Sequence, residues 1–462
     1  MTRFLGGFGI MAAWMLIIGA CTSGGSAVTV LTPATSPQTS TTTTAPGTTT
    51  TTTFPDRAVE VSFDGADGIA EIVSSLYTWL ANREAPMPDL PEGLAAHLER
   101  RIPTEAGPLP GDFFFEQVGD MGKAGVAVVA DDDVILLVDE GRGWRVVGAW
   151  FARYDFAPWF GDPIRHVFVI GTDARQWQDP VMFRGDSLHL ISSNTAVGGG
   201  GILGFPRDSW VETPYGMDKF THVNAIIWTR SDDQLETDLK ALSIDPEFRN
   251  IAAALSTGGM KEQLRRGPFG GEVTVDVAEQ LTGIEIEGYI LTGFRDFQLL
   301  LNDYGSVMID VPFAMADQSS SAYFEAGVQE MWGRFALAFS RNRHLRGGDF
   351  TRSLHQGLVI VARLRGVLDS EFSTLPLLTS ALVKHTWTDL SLEQLVTLGA
   401  GAFLLDPSMI RNEVLPGRVA TRGGASVVLL SSGSEELFRD LDDGVLGFDV
   451  TDEEVEPSVA FR

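Results

Sequence analysis

A single cysteine, Cys21, stands in 462 residues, so no intrachain disulfide can staple this fold. Basic residues are scarce as well: 34 Lys and Arg face 61 Asp and Glu, a formal net charge of −27. That balance argues against non-specific nucleic-acid binding, because phosphate backbones attract basic surfaces. It fits a solvated, salt-tolerant exterior instead. Long apolar runs are missing too. The run from Phe4 to Ala20 is interrupted by glycines and falls short of the ~20 apolar residues a spanning helix needs. What is present is globular material, 44% hydrophobic, in a chain long enough for roughly two or three folded units.

The chain starts MTRFLGGFGIMAAWMLIIGAC: a basic residue, an apolar run, then small residues before Cys21. This is the layout of a secretory signal peptide. Ile18-Gly19-Ala20-Cys21 also resembles a bacterial lipobox, in which the cysteine receives lipid and becomes the new N-terminus, and that reading is preferred to an uncleaved anchor. Residues 1–21 are thus a lipoprotein-type signal with Cys21 as the lipidation site. The folded part then lies outside the cytoplasm, anchored to the outer face of the membrane in the cell-wall space. Residues 22–56 include TTTTAPGTTTTTTFP, have no apolar period, and read as a disordered tether.

From Arg57 the composition turns globular. Residues 67–102 carry helical apolar spacing, and GVAVVADDDVILLVDEGRGWRVVGAWFARY reads as three short strands joined by turns. Asp131, Asp132 and Asp133 fall between two of these strands and read as a solvated hairpin turn rather than a metal site. Residues 57–160 are expected to form a small α+β accessory domain with no catalytic constellation.

A second domain begins near Asp162. HVFVIG is a strand running into Asp173 and Arg175; Arg184-Gly185-Asp186 opens the strand SLHLISS; a GGGG turn and the strand ILGF lead to Arg207. Arranged as an antiparallel meander, these strands bring Asp173, Asp186 and Arg207 to one rim. The stretch from EVTVDVAEQL to SVMIDVPF alternates helix, strand, helix, strand, an α/β order. GVQEMWGRFALAFSRNR then reads as a helix entering SRNRHLRGGDFTRSLHQ. There Arg341, Arg343, Arg346 and Arg352 surround one acid, Asp349, which is expected to cap the next helix. Like charges repel, so an acidic protein keeps such a cluster most readily around an anion. Arg352 and Gln356, four apart, share a helix face near its N-terminus, itself favourable to anions. The stretch reads as a phosphate or diphosphate clamp.

GTDAR, FRGDSLHLIS, GFPRDSWVETPYGMDKFTHVNA, and ALAFSRNR with GDFTRSLHQ occur in this order and resemble the successive motifs of the LytR-CpsA-Psr family. The resemblance covers roughly residues 163–365, and residues 366–462 are similar to the family's C-terminal continuation. It implies an α/β fold, with a central mixed sheet flanked by helices in a catalytic domain over 161–365. It implies transfer of a glycopolymer from a polyprenyl diphosphate carrier to peptidoglycan, with release of polyprenyl monophosphate. In that chemistry Asp173 and Asp186 would hold Mg2+, and Arg207, Arg341, Arg343 and Arg352 would grip the diphosphate. Gln356, Lys219 and Asn224 would assist binding, and Asp173, Asp186, Arg207 and Arg352 would form the catalytic set. Arg175 and Arg184, within the first motifs, are weaker candidates.

These residue types suit the task. Phosphoryl transfer is mainly positioning and charge neutralisation; Mg2+ takes one or two carboxylates; guanidinium groups match phosphate in pairs. Asp173 and Asp186 are both available as a base, and the choice stays open. Two departures stand out: His355 occupies the place of an arginine in many members, and LETDLKALSIDPEFRNIAAAL is longer than expected, a lid, a lipid-entrance loop or an inert insertion. The competing function is a non-catalytic binding protein for polyprenyl phosphates or wall polymer.

Overall fold

The computed structural model describes residues 59–103, 107–175, 178, 180–225 and 269–447. Cys21, the tether and the long segment after Asn224 therefore lie outside the described residues.

The N-terminal part is a five-stranded sheet in the order Val61–Phe63, Leu109–Val118, Gly122–Val129, Asp133–Asp139, Arg145–Trp150. Its last three strands are the three expected from turn spacing. The helix Asp67–Ala81 covers one face with Ile69, Val73, Leu76, Tyr77 and Leu80, a 3–4 residue period, against Ala127, Val129, Ile135 and Leu137. Successive strand residues point to opposite faces. The alternate set, Val126, Val134, Leu136 and Val138, packs on Leu375, Leu392, Val396 and Ala400, from the helices Leu375–His385 and Leu392–Ala402. One core thus joins this sheet to the C-terminal part of the chain.

The acidic run is half turn and half core. Ala130 and Asp131 have φ of 51° and 70°, the left-handed backbone of a tight hairpin turn. Asp133, expected to be solvated, is fully buried. Its carboxylate accepts the Tyr77 hydroxyl at 2.6 Å and the Arg153 N–H at 3.0 Å. Burial is the leading influence on both groups, and it raises the pKa of each.

The second sheet has six strands in the order Trp387–Thr388, Tyr289–Thr292, Ile164–Thr172, Gly185–Asn194, Gly199–Gly204, Ile410–Val414. Its middle is the expected antiparallel meander, flanked by parallel neighbours at Tyr289–Thr292 and Ile410–Val414, so the sheet is mixed. Two of its strands come from beyond residue 365. The glycine run differs from expectation: Gly199, Gly200 and Gly201 are strand, not turn. A β-carbon on Gly201 would lie 2.5 Å from Leu441 and 2.7 Å from Leu446, which close over the bare backbone.

The helix Phe269–Thr282 covers one face with Val273 and Val277 over Phe168, Leu190 and Leu203. The helix Asp349–Leu368 covers the other, where the buried His189 donates Nε2–H to the Ser353 carbonyl at 3.0 Å. The expected long helix before the arginines is in fact a strand, Gly327–Met331, followed by the helix Gly333–Arg341. Residues 328–331 alternate exposed and covered against Val307–Val311, which is strand periodicity.

Candidate active site

The meander's rim is where the chemistry gathers. Its first strand ends at Thr172 and pairs with Gly185 after a register shift beside Gly171. Such a bulge re-aims the residues next to it. Asp173 N–H donates to the Arg184 carbonyl at 3.1 Å, fixing the two strand ends together. The third strand ends just before Arg207, whose guanidinium is ion-paired with Asp186 and whose backbone N–H donates to Asp349 at 3.0 Å. Asp349 is therefore not the helix cap. Gly348, at φ 58°, holds that position, and the Asp349 carboxylate ties Arg207 to the Arg352 guanidinium.

Beside this rim lies a cavity of about 410 Å³. Asp173 and Asp186 line it together with four guanidinium groups, from Arg175, Arg341, Arg343 and Arg352. Val169, Phe297, Leu337 and Ile360 add apolar side chains to the same lining. The charged part of the lining is thus net cationic on a strongly acidic chain.

The contacts are specific. Asp186 receives Arg343 at 3.0 Å on one oxygen and Arg207 on the other. Gln356 bridges the elements, its amide donating to the carbonyls of Asp186 at 3.4 Å and Ser340 at 3.3 Å. The Arg341 guanidinium lies over the Phe294 ring at 4.3 Å. Burial and the nearby charge of Asp186 push the Asp173 carboxyl up. Burial lowers Arg341, helped by Arg343 and Arg175, and burial also lowers Arg352. Two buried polar atoms on this wall, Asp173 Oδ1 and Arg352 Nε, have no hydrogen-bond partner among the described residues. Unpaired buried polar groups are costly, so a polar ligand with both acceptors and a cation would satisfy them.

Not every expected residue reaches the cavity. Arg207 stands behind Asp186 rather than on the wall. Lys219 pairs with Asp208 at 3.0 Å and does not line the cavity. Asn224 is buried and donates to the Phe183 carbonyl at 2.7 Å, holding the turn that precedes Asp186. Both expected binding residues are thus structural supports here. His355 is buried and stacks on Phe339 with centroids 4.5 Å apart; burial lowers it to about 4, so it is neutral. Arg346 is exposed, and neither it nor Arg184 lines the cavity.

Sequence reasoning missed Ser319 and Ser320 on the wall, and Asp317 behind them. Asp317 accepts hydrogen bonds from both serines. An aspartate followed two and three residues on by serine is an Asx-turn signature, and it was the available signal.

Mixed sheet, covering helices and a cavity at the meander's rim define an α/β domain whose candidate site combines guanidinium, carboxylate and apolar side chains. Residues 162–439 match the LytR_cpsA_psr family, and the chain belongs to that family. Over 138 residues it is 30% identical to the polyisoprenyl-teichoic acid--peptidoglycan teichoic acid transferase TagV of Bacillus subtilis, covering 28% of this chain and 35% of that protein. Over 121 residues it is 35% identical to the cell wall biosynthesis protein LcpA of Corynebacterium glutamicum, covering 26% of this chain and 23% of that protein. The matches span about a third or less of those relatives' lengths. The crystal structure of B. subtilis TagV aligns with a TM-score of 0.45 at 18% identity, over 61% of this chain and 96% of that one. The N-terminal sheet precedes the family match.

Proposed function

We propose that the protein is a phosphotransferase that moves a glycopolymer from a polyprenyl diphosphate carrier to peptidoglycan, releasing polyprenyl monophosphate. The carrying observation is the cavity, whose lining sets four arginines and two carboxylates beside apolar side chains. A diphosphate suits the arginines and a polyprenyl chain suits the apolar side chains. Relatives named for teichoic acid transfer and for cell wall biosynthesis support the same class of substrate.

The donor set fits Mg2+. Asp173 offers a buried oxygen without a partner, and Asp186 lies close enough to raise its pKa. No group of three or more His, Cys, Asp or Glu suited to a metal occurs among the described residues. A hard cation that binds two protein carboxylates completes its shell with phosphate oxygens and water. Once bound, Mg2+ would neutralise charge on the diphosphate. Arg341, Arg343 and Arg352 would hold the phosphate oxygens, Gln356 would fix the helix against the meander, and Arg207 would keep Asp186 in place. Lipidation at Cys21 would anchor the domain at the outer face of the membrane. Among the described residues no helix is long and apolar enough to cross one.

The test is transfer of labelled glycan by the full chain in detergent, using a panel of polyprenyl diphosphate-linked glycans and peptidoglycan fragments. Transfer should require Mg2+, and Asp186→Asn should abolish it more completely than it weakens donor binding. Tight donor binding with neither transfer nor hydrolysis, metal present, would leave only a binding protein.

A further inference from the structure

Among the described residues, six hydroxyl side chains line the cavity: Thr172, Ser187, Thr292, Ser319, Ser320 and Ser340. Each has one proton to donate, and in every case the protein itself takes it. Thr172 donates to the Thr292 carbonyl at 3.4 Å, Thr292 to the His385 carbonyl at 3.1 Å and Ser340 to the Ala336 carbonyl at 2.8 Å. Ser187 Oγ lies 3.2 Å from His189 Nδ1. Burial lowers His189 to about 4, so the ring is neutral, and its one proton is on Nε2, engaged by the Ser353 carbonyl. Nδ1 is then an acceptor, and Ser187 gives it the hydroxyl proton. The Gln356 amide is engaged as well, on the carbonyls of Asp186 and Ser340.

Asp317 takes the protons of the remaining two. Ser319 donates its hydroxyl to this carboxylate at 2.8 Å and Ser320 at 2.6 Å, and their backbone N–H groups donate at 2.9 and 3.2 Å. Burial opposes charge on Asp317, yet these hydrogen bonds hold its carboxyl well below the usual range. An ionised carboxylate only accepts, so the protons stay on the serines. The two serine oxygens therefore offer the cavity lone pairs alone, at positions fixed by hydrogen bonds to a single buried side chain. His344 Nδ1 also bonds Asp317, at 2.9 Å, and this joins the turn to the segment carrying Arg341 and Arg343.

Acceptor-only oxygens do not suit a phosphate, whose oxygens are acceptors too. Among the side chains of the lining, the guanidinium groups supply its donors. The complement of the serine oxygens is a ligand group rich in O–H. In a glycan-linked diphosphate that group is the first sugar, which is bonded to the phosphate and so lies beside the clamp. Ser187 follows Asp186, in the part of the lining assigned to the cation, whereas Ser319 and Ser320 belong to a separate turn. We propose that Ser319 and Ser320 form a sugar subsite, accepting hydrogen bonds from hydroxyl groups of the sugar on the diphosphate and so selecting a glycan-loaded carrier over the bare one; this rests on the diphosphate-lipid reading above. A site built to hydrogen-bond a hydroxyl discriminates well against a ligand that lacks it, because its own polar groups are then left unpaired.

The experiment measures binding to the full chain in detergent, with Mg2+, by calorimetry. The probes are polyprenyl diphosphate and the same lipid carrying one hexose or N-acetylhexosamine. The double variant Ser319→Ala, Ser320→Ala should bind the sugar-bearing probe about 10-fold more weakly than wild type, the loss of two neutral hydrogen bonds, and the bare probe equally well. Unchanged affinity for the bare probe also shows that fold and clamp survive. Where the double variant fails to fold, Ser319→Ala, at an exposed position, carries the test: a loss of about 3-fold confined to the sugar-bearing probe, restored in Ser319→Thr. An equal loss on both probes, or no loss on either, would overturn the subsite while leaving the transferase reading intact. Wild type that binds neither probe would overturn both. The expected discrimination without any transfer would support the subsite and remove only the transfer step.

Discussion

Asp173 and Asp186 stand on neighbouring strand ends and do not share their charge equally. Asp186 is compensated by two guanidinium groups, whereas Asp173 has an unpartnered buried oxygen and feels Asp186 as a like charge. The Asp173 carboxyl is therefore raised, and the folded state holds its proton more tightly than the unfolded chain does. The stability associated with that proton is present below the ordinary carboxylate pKa and lost as pH rises through the raised value. Asp173→Asn should melt higher than wild type at neutral pH without metal, and the gap should close in acid below the ordinary carboxylate range. Thermal melts across pH check this, and a gap independent of pH would contradict it.

The clamp can be tested by binding alone. Arg341→Ala and Arg352→Ala should each weaken binding of a polyprenyl diphosphate by about 1.5–3 kcal/mol, the range for a charge-assisted contact. Arg346→Ala, on the exposed loop, should change it little. Calorimetry giving equal affinities for all three and wild type would make the cluster ordinary surface charge.

His355 should behave as an apolar residue. Its ring stacks on Phe339, and burial lowers it from 6.5 to about 4. The unfolded chain takes up a proton near 6.5 while the folded one resists, so wild type loses stability as pH falls from about 6.5 toward 4. His355→Phe removes that titration and should gain on wild type across this window. Donor binding should be unchanged, since the ring is not on the cavity wall. Denaturant melts at several pH values provide the measurement.

The N-terminal sheet should not be separable without cost. Deleting residues 57–160 uncovers Leu375, Leu392, Val396 and Ala400, which pack on Val126, Leu136 and Val138. The truncated protein should aggregate or elute as large species in size exclusion. A monodisperse truncation that still binds donor would show a detachable module instead.

How much of this was legible beforehand depended on the range of the signal. Strand periodicity and turn residues placed the meander, and with it the convergence of Asp173, Asp186 and Arg207. Local pattern could not show that Asp133 is claimed by Tyr77, 56 residues away, because burial is a tertiary property. It could not separate Lys219 and Asn224 from the ligand wall either, since their partners Asp208 and Phe183 are decided by packing. The glycine run misled because the packing that uses its bare backbone, Leu441 and Leu446 over Gly201, comes from about 240 residues away. Asp317 escaped because a turn signature does not reveal which cavity the turn borders.

The strand Ile410–Val414 pairs with Gly199–Gly204, so one border of the six-stranded sheet waits for roughly 200 further residues of chain. Until they arrive, a glycine-rich strand with few side chains of its own has an open hydrogen-bonding edge, a ready template for mispairing. During synthesis the sheet edge beside the Asp186–Arg207 rim therefore closes late, and nascent chains should depend on chaperone cover until that last strand docks.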